Sequence, residues 1–347
     1  MDRIPVDRLK RGIAIILEKS GLPSEASAQT ADLLVETEAR GVYSHGVALL
    51  DYYVNMMKDG LANPHPDIRV VEERTAMALI DADNAMGAPA TLKALEIAMD
   101  KAEKCGTASV GLRHFNHFGA GLYYANKAAA RGKMLFLYAN ANPTVAVPGG
   151  RQGFLGTNPY TFGAPAGKYA PFVLDMATSI AAYSKMRHYK ELPAGWGINS
   201  KGEPAKTMDE VINGGALLPF GGFKGYGLSL MVNVMSGVLT GASYGYDIRC
   251  VPLGPDQPAN IGAWMLCVDI EALMDYKEYT ARIEDYIDLL HKNEPAEGCD
   301  RICYPGQMEG ERYEKALKEG IELSEVSAGI LKKSAGLAGL TVEEVFG

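Results

Sequence analysis

The sequence predicts an α/β fold in which both ends of the chain build a helical unit and the interior builds a mixed α/β unit. Three observations predict it. Apolar residues recur every three or four positions near the termini. Short β-rich runs alternate with helical stretches in the interior. No G-x-G-x-x-G stands between a strand and a helix, so the interior unit is non-Rossmann. The helical unit takes residues 1–70 with 278–347, and the α/β unit takes 71–277.

Val6, Leu9, Ile13 and Ile16 share one helical stripe, which Gly21 stops. Ser24 is expected to cap a second helix carrying Ala31, Leu33 and Leu34. A third is expected to start at Gly46, run to Lys58 and end at Gly60. Beyond Pro64 and Pro66 the texture changes, with strands predicted over 76–81, 108–112, 134–138 and 172–174. Helices are predicted between them over 88–104 and 121–131. The stretch 140–222 is dense in Gly and Pro and reads as loops held on a scaffold, where binding groups tend to lie. A helix over 226–239, a strand over 263–270 and helices over 279–290 and 309–319 complete the chain.

A length of 347 residues allows two domains. Apolar residues at 47% and charged residues at 22% suit a folded protein with a sizeable core. A net charge of −8 argues against nucleic acid or an anionic membrane as partner. No apolar run approaches the roughly 18–20 residues that span a bilayer. The opening Met1-Asp2-Arg3-Ile4-Pro5 is followed by no signal-peptide apolar region. The five Cys are odd in number and scattered, which fits a reducing compartment, so the expected location is cytoplasmic. Cys299 and Cys303, the one close pair, read as free thiols and not as a metal site.

Four segments carry more chemistry than loops need. In Ser44-His45-Gly46-Val47, an imidazole at a helix start would have its cationic form disfavoured by the helix dipole. The plainer reading is a capping Ser and a solvent-facing His. In Asn116-His117-Phe118-Gly119 an imidazole meets bare backbone where a strand hands over to a helix, and its ordinary pKa suits proton transfer. His114 and His117 as a metal pair lack carboxylate or thiolate partners. Gly156-Thr157-Asn158-Pro159 and Asp175-Met176-Ala177-Thr178-Ser179 suit ribose or phosphate oxygens, against a reading as turn chemistry. In 218–227, four Gly surround Lys224, and Gly225 follows it, a pattern that cradles a diphosphate. The plain alternative there is a flexible loop with a solvated Lys.

Taken together and in order, these segments resemble the malate/L-lactate dehydrogenase family, which lacks a Rossmann fold. That family includes ureidoglycolate, sulfolactate and diketogulonate oxidoreductases and cyclic-imine reductases. The resemblance rests on residues 40–47, 113–119, 155–159, 175–179 and 218–228 and on Pro305-Gly306, and it covers nearly the whole chain. It implies a cofactor domain with a mixed sheet beside a helical domain made by both termini. It further implies NAD or NADP as cofactor, a small 2-hydroxy or 2-oxo acid or a related compound as substrate, and a homodimer with its sites near the subunit boundary. By resemblance, Ser44, His45 and His117 surround the reacting carbon. His117, Asn158, Asp175, Met176, Ala177, Thr178, Lys224, Gly225, Pro305 and Gly306 lie along the dinucleotide. No metal is implied. His45 is the first choice for proton exchange, with His117 sharing that role or holding substrate and nicotinamide.

Three positions depart from the family pattern. Leu49 stands where the family has an Arg that can clamp a substrate carboxylate. Asn199, after Gly195-Trp196, stands for an Asp that can polarise a catalytic His. Ser184 stands where Gly is common. One reading is a shifted substrate, either less anionic or clamped by another group such as Arg187 or Lys185. The other is a dinucleotide-binding member with lost or altered catalysis. The intact cofactor segments favour the first. A metal-dependent hydrolase using His45, His114, His117 and Asp175 would leave the Lys224 segment without a use.

Overall fold

The computed structural model describes residues 3–182, 186, 189–249 and 257–346. Its helices are α1 (Val6–Lys19), α2 (Ser24–Ala39), α3 (Leu50–Lys58), α4 (Gly87–Cys105), α5 (Gly121–Ala130), α6 (Met208–Ile212), α7 (Phe223–Asn233), α8 (Tyr276–His291), α9 (Gln307–Glu319), α10 (Glu325–Leu337) and α11 (Val342–Phe346). The strands are β1 (Arg69–Arg74), β2 (Met77–Ala85), β3 (Thr107–Phe115), β4 (Lys133–Ala139), β5 (Val145–Ala146), β6 (Gly153–Leu155), β7 (Tyr160–Ala164), β8 (Phe172–Met176), β9 (Gly197–Ile198), β10 (Ala216–Leu217) and β11 (Ile261–Asp269).

The larger sheet runs β1-β2-β3-β11-β4-β7-β8. β2 and β3 pair parallel, and every other neighbour pairs antiparallel. A Rossmann sheet is parallel, so this mixed order accounts for the missing glycine fingerprint. β11 enters late in the chain and wedges between β3 and β4, burying alternate side chains as a half-covered strand should. Small residues of α4, among them Ala90, Ala94, Ala98 and Ala102, pack on this sheet with Val110, Leu112, Leu137 and Met265 in one core. A second, four-stranded sheet runs β6-β5-β10-β9. It lies within the stretch read as loops, as does β7. That expectation is corrected here, because strands of two to five residues set among Gly and Pro are too short to show a period in sequence.

The terminal helices form their own core. Val6, Leu9, Ile13, Ile16 and Leu17 of α1 pack with Leu34 and Val35 of α2, with Leu50, Tyr53 and Val54 of α3, and with Leu331 and Ala335 of α10. α2 begins one residue earlier than a Ser24 cap requires. Pro23 precedes the helix, and the Ser24 hydroxyl donates to Glu18 Oε1 (2.7 Å) instead of capping. α8 packs elsewhere, through Ile283, Ile287 and Leu290 against Ala166, Phe172 and Tyr304 at the β8 edge of the large sheet. Charges join the helices to that sheet. Asp32 of α2 accepts from Lys10 of α1 (2.6 Å) and from Tyr123 (2.7 Å) and Lys127 (3.1 Å) of α5.

Candidate active site

Two imidazoles meet where the loop after α2 and the loop after β3 converge. The His45 and His117 rings stack with centroids 5.8 Å apart and an interplanar angle of 27°. Both are partly buried. The Ser44 hydroxyl lies 2.8 Å from His45 Nδ1, and Tyr53 Oη of α3 lies 2.9 Å from His117 Nδ1.

His45 does not begin an α-helix, as the sequence suggested. Two 3-10 turns, Tyr43–His45 and Val47–Leu49, precede α3. The cause is Glu38, which is buried beneath them. Its carboxylate accepts from Val47 N–H (3.0 Å) and from the Ser327 hydroxyl of α10 (2.9 Å). Gly46 lies so close that a β-carbon there would fall 2.3 Å from Glu38 Oε2. Burial pushes the Glu38 carboxyl up, while Ser327 and Val47 N–H hold it down. Sequence reasoning missed this residue. It lies in the buried last turns of α2, which also bury the polar Glu36 and Thr37, so nothing local marked it out.

The His45 pKa is lowered, in the direction expected but from a different cause. Burial drives it down, and the charge of Asp175 opposes that shift. Asp175 sits at the end of β8 opposite Thr161 of β7. Thr161 Oγ1 donates to its Oδ1 (2.8 Å), and Leu122 N–H donates to its Oδ2 (2.8 Å), so the carboxylate also caps α5. Burial pushes Asp175 up, and these hydrogen bonds and His45 hold it down. His117 is pushed down to about 3, first by burial and then by the neighbouring His45.

The expected cofactor residues form one continuous stretch of backbone. Pro305 C=O accepts from Val173 N–H (2.9 Å), two residues before Asp175. Phe220 N–H donates to Thr178 C=O (3.1 Å) and Ile180 N–H to Leu218 C=O (2.8 Å), joining the 175–179 segment to the Lys224 loop. Lys224 is exposed in the first turn of α7, behind the exposed Gly221 and Gly222. A β-carbon on Gly225 would fall 2.0 Å from Phe220 O. Met176 and Ala177 are partly exposed, and so is Gly306 at the start of α9.

Asn158 and Thr178 point inward. The Asn158 amide donates to Ser229 O and Oγ and accepts from Ala141 N–H, and the Thr178 hydroxyl donates to Thr157 O and Asn158 O. Their side chains brace the scaffold. Arg40 does the same, with two bonds to Glu36 Oε1 and its guanidinium 4.2 Å from the Tyr313 ring centroid. His114 turns to Asp81 (2.9 Å), away from a pairing with His117. Among the described residues, no three His, Cys, Asp or Glu gather as metal ligands. Leu49 packs against the helical core. Asn199 Oδ1 accepts from Lys201 N–H (2.9 Å) and Glu203 N–H (3.1 Å), so this side chain is used by its own turn. Ser184, Lys185 and Arg187 lie outside the described residues.

The larger sheet is mixed and not of Rossmann type, and comparison with known proteins identifies the family that shares this fold. The profile of the malate/L-lactate dehydrogenase family matches residues 4–331. The malate dehydrogenase structure from Pyrococcus horikoshii OT3 is 36% identical, with a TM-score of 0.89 over 97% of this chain and 96% of that one. The sulfolactate dehydrogenase structure from Methanocaldococcus jannaschii is 32% identical, with a TM-score of 0.89 over 98% of each chain. Ureidoglycolate dehydrogenase (NAD(+)) from Escherichia coli K12 is 31% identical over 88% of both chains. The chain belongs to the malate/L-lactate dehydrogenase family. It is an NAD(P)-dependent dehydrogenase, an oxidoreductase of hydroxy acids. No helix among the described residues is long and apolar enough to cross a membrane.

Proposed function

We propose that this protein interconverts a small 2-hydroxy acid and its 2-oxo acid at His45, with His117 and Ser44 beside the reacting carbon. The observation that carries the reading is the stacked imidazole pair with Asp175 acting on His45. Backbone hydrogen bonds connect this group to a Gly-rich loop bearing an exposed Lys. The relatives' names support the substrate class, since malate, sulfolactate and ureidoglycolate each carry a hydroxyl on the carbon next to a carboxylate.

The residues fit a nicotinamide dinucleotide. Gly221 and Gly222 present bare exposed backbone before α7, and Lys224 adds a cation at that helix start, a combination suited to a diphosphate. The 175–178 segment, Gly225, Pro305 and Gly306 would line the same path. When bound, the dinucleotide takes the hydride in oxidation and supplies it in reduction.

The chain's own part is proton exchange. With Ser44 Oγ holding His45 Nδ1, Nε2 is left to take the hydroxyl proton in oxidation and return it in reduction. Burial keeps His45 neutral and ready as a base, and the Asp175 charge stabilises the imidazolium that forms. Large apolar side chains exposed along α7 and just beyond it (Phe223, Met231, Val234, Val238 and Leu239) support a homodimer. The scattered Cys support a cytoplasmic setting.

The test is fluorescence titration with NADH and NADPH, followed by absorbance assays over a panel of 2-oxo acids and cyclic imines. Binding with 2-oxo acid reduction is expected. Binding without turnover on any compound would favour the family member with lost catalysis. No binding of either dinucleotide would remove the reading.

A further inference from the structure

His117 differs from His45 in one respect that fixes its chemistry. The Gly119 backbone N–H points at His117 Nδ1 from 3.3 Å. An amide N–H can only donate, so Nδ1 must present its lone pair. The proton of the neutral ring therefore sits on Nε2. Tyr53 Oη approaches the same Nδ1 at 2.9 Å from α3, where Tyr53 is 1% exposed. The tyrosine hydroxyl can donate where the amide already does. The groups facing the ring are His45 from the loop after α2, Tyr52 and Tyr53 from α3, and Phe118 from its own loop. Among the described residues, none of these groups is a carboxylate that could support an imidazolium. His45, by contrast, has Asp175.

We propose that Tyr53 and the Gly119 amide lock His117 as the Nε2–H imidazole, making it the hydrogen-bond donor of the site and leaving proton exchange to His45. Its substrate rests on the functional reading above, but the lock is a property of the protein alone. A neutral Nε2–H ring has no lone pair left to accept the hydroxyl proton. Giving up its only proton would leave an imidazolate, which a buried site disfavours.

The balance in oxidation is as follows. The hydroxyl O–H bond breaks and its proton goes to His45 Nε2. The oxygen's electron pair forms the C=O bond. The C–H bond breaks with both electrons, a hydride that an oxidised nicotinamide bound beside it would take up. The His117 Nε2–H bond stays intact throughout, donating to the oxygen as charge gathers there. Tyr53 touches neither substrate nor cofactor in this scheme and is a positioning residue.

The experiment is a two-bond proton–nitrogen correlation spectrum of the full-length protein labelled with 15N-histidine, with His117→Gln used for assignment. His117 is expected to show protonated Nε2 and unprotonated Nδ1 from about pH 8 to about pH 5, without titrating near the ordinary histidine value of about 6.5. A protonated Nδ1, or titration near that value, would overturn the proposal. In Tyr53→Phe the two nitrogen signals should move toward an average of tautomers, and kcat should fall at least about tenfold. Unchanged nitrogen signals in that variant would remove Tyr53 from the role. The ionising limb of kcat/KM should persist in His117→Gln and vanish in His45→Gln, and the reverse would make His117 the base. An altered tautomer in an active enzyme would sink this inference alone, whereas an intact lock in an enzyme inert on the whole panel would sink the functional reading alone.

Discussion

His45 and His117 are partly buried, stacked imidazoles, and Tyr52, Tyr53 and Phe118 hem in the His117 ring, whereas Lys224 is exposed behind two exposed glycines. Backbone hydrogen bonds between Thr178 and Phe220 and between Ile180 and Leu218 join the two regions. Around the imidazoles, side chains from distant parts of the sequence exclude water and set protonation. At the Lys224 loop, Gly221 and Gly222 carry no side chain and the backbone itself is offered. Proton exchange depends on the surroundings of one nitrogen, whereas recognising a diphosphate depends on reaching it with amides and one cation. This difference makes the regions separable by mutation.

Breaking the first region has the largest expected effect. His45→Gln should lower kcat by roughly 10²- to 10⁴-fold, the usual share of a general acid–base group. Dinucleotide affinity, read by NADH fluorescence, should change by less than about twofold. A comparable loss in both would mean that the two regions act as one.

The second effect is on stability. His117 is lowered to about 3, and His45 is lowered as well, so at these two rings the unfolded chain binds more protons than the native one once pH drops below about 6.5. Their contribution to stability is fully present above that value and is lost as pH falls toward the folded pKa of His117. The slope is about 1.4 kcal/mol per pH unit for each proton. Urea midpoints between about pH 6.5 and about pH 4 should show it, and His117→Gln should flatten it by one proton's worth. An unchanged slope in the variant would contradict the buried, neutral ring.

Lys224→Ala should have the smallest effect, weakening dinucleotide binding about tenfold, or about 1.4 kcal/mol. The loss should shrink at high salt, because an exposed cation is screened. At saturating dinucleotide, kcat should fall far less than Kd rises. A larger fall in kcat than in affinity would move Lys224 into the chemical half of the site.

The same contrast governs what was legible in the sequence. The Lys224 loop, the 175–179 segment and both His segments announce themselves, because local runs of Gly and polar residues are visible without a fold. The large strands could also be read from their apolar runs, with ends a few residues short. The structure extends the strand predicted over 108–112 to Thr107–Phe115, which carries the chain up to His117. Glu38, Thr161 and Tyr53 stayed hidden. Each acts on a residue far away in sequence, and nothing local distinguishes a buried Tyr that orients an imidazole from one that only fills a core. The helix expected at Gly46 failed for a related reason. Its backbone is claimed by a carboxylate from the preceding helix and not by its own cap.

The Ser327 hydroxyl gives Glu38 one of its two hydrogen bonds, and Glu38 underlies the turn that carries His45. To anyone trimming this chain for expression or fusing a partner to its end, the residues after 320 are therefore not spare length. Shortening them would leave a buried carboxylate with one donor fewer directly beneath the turn that carries His45.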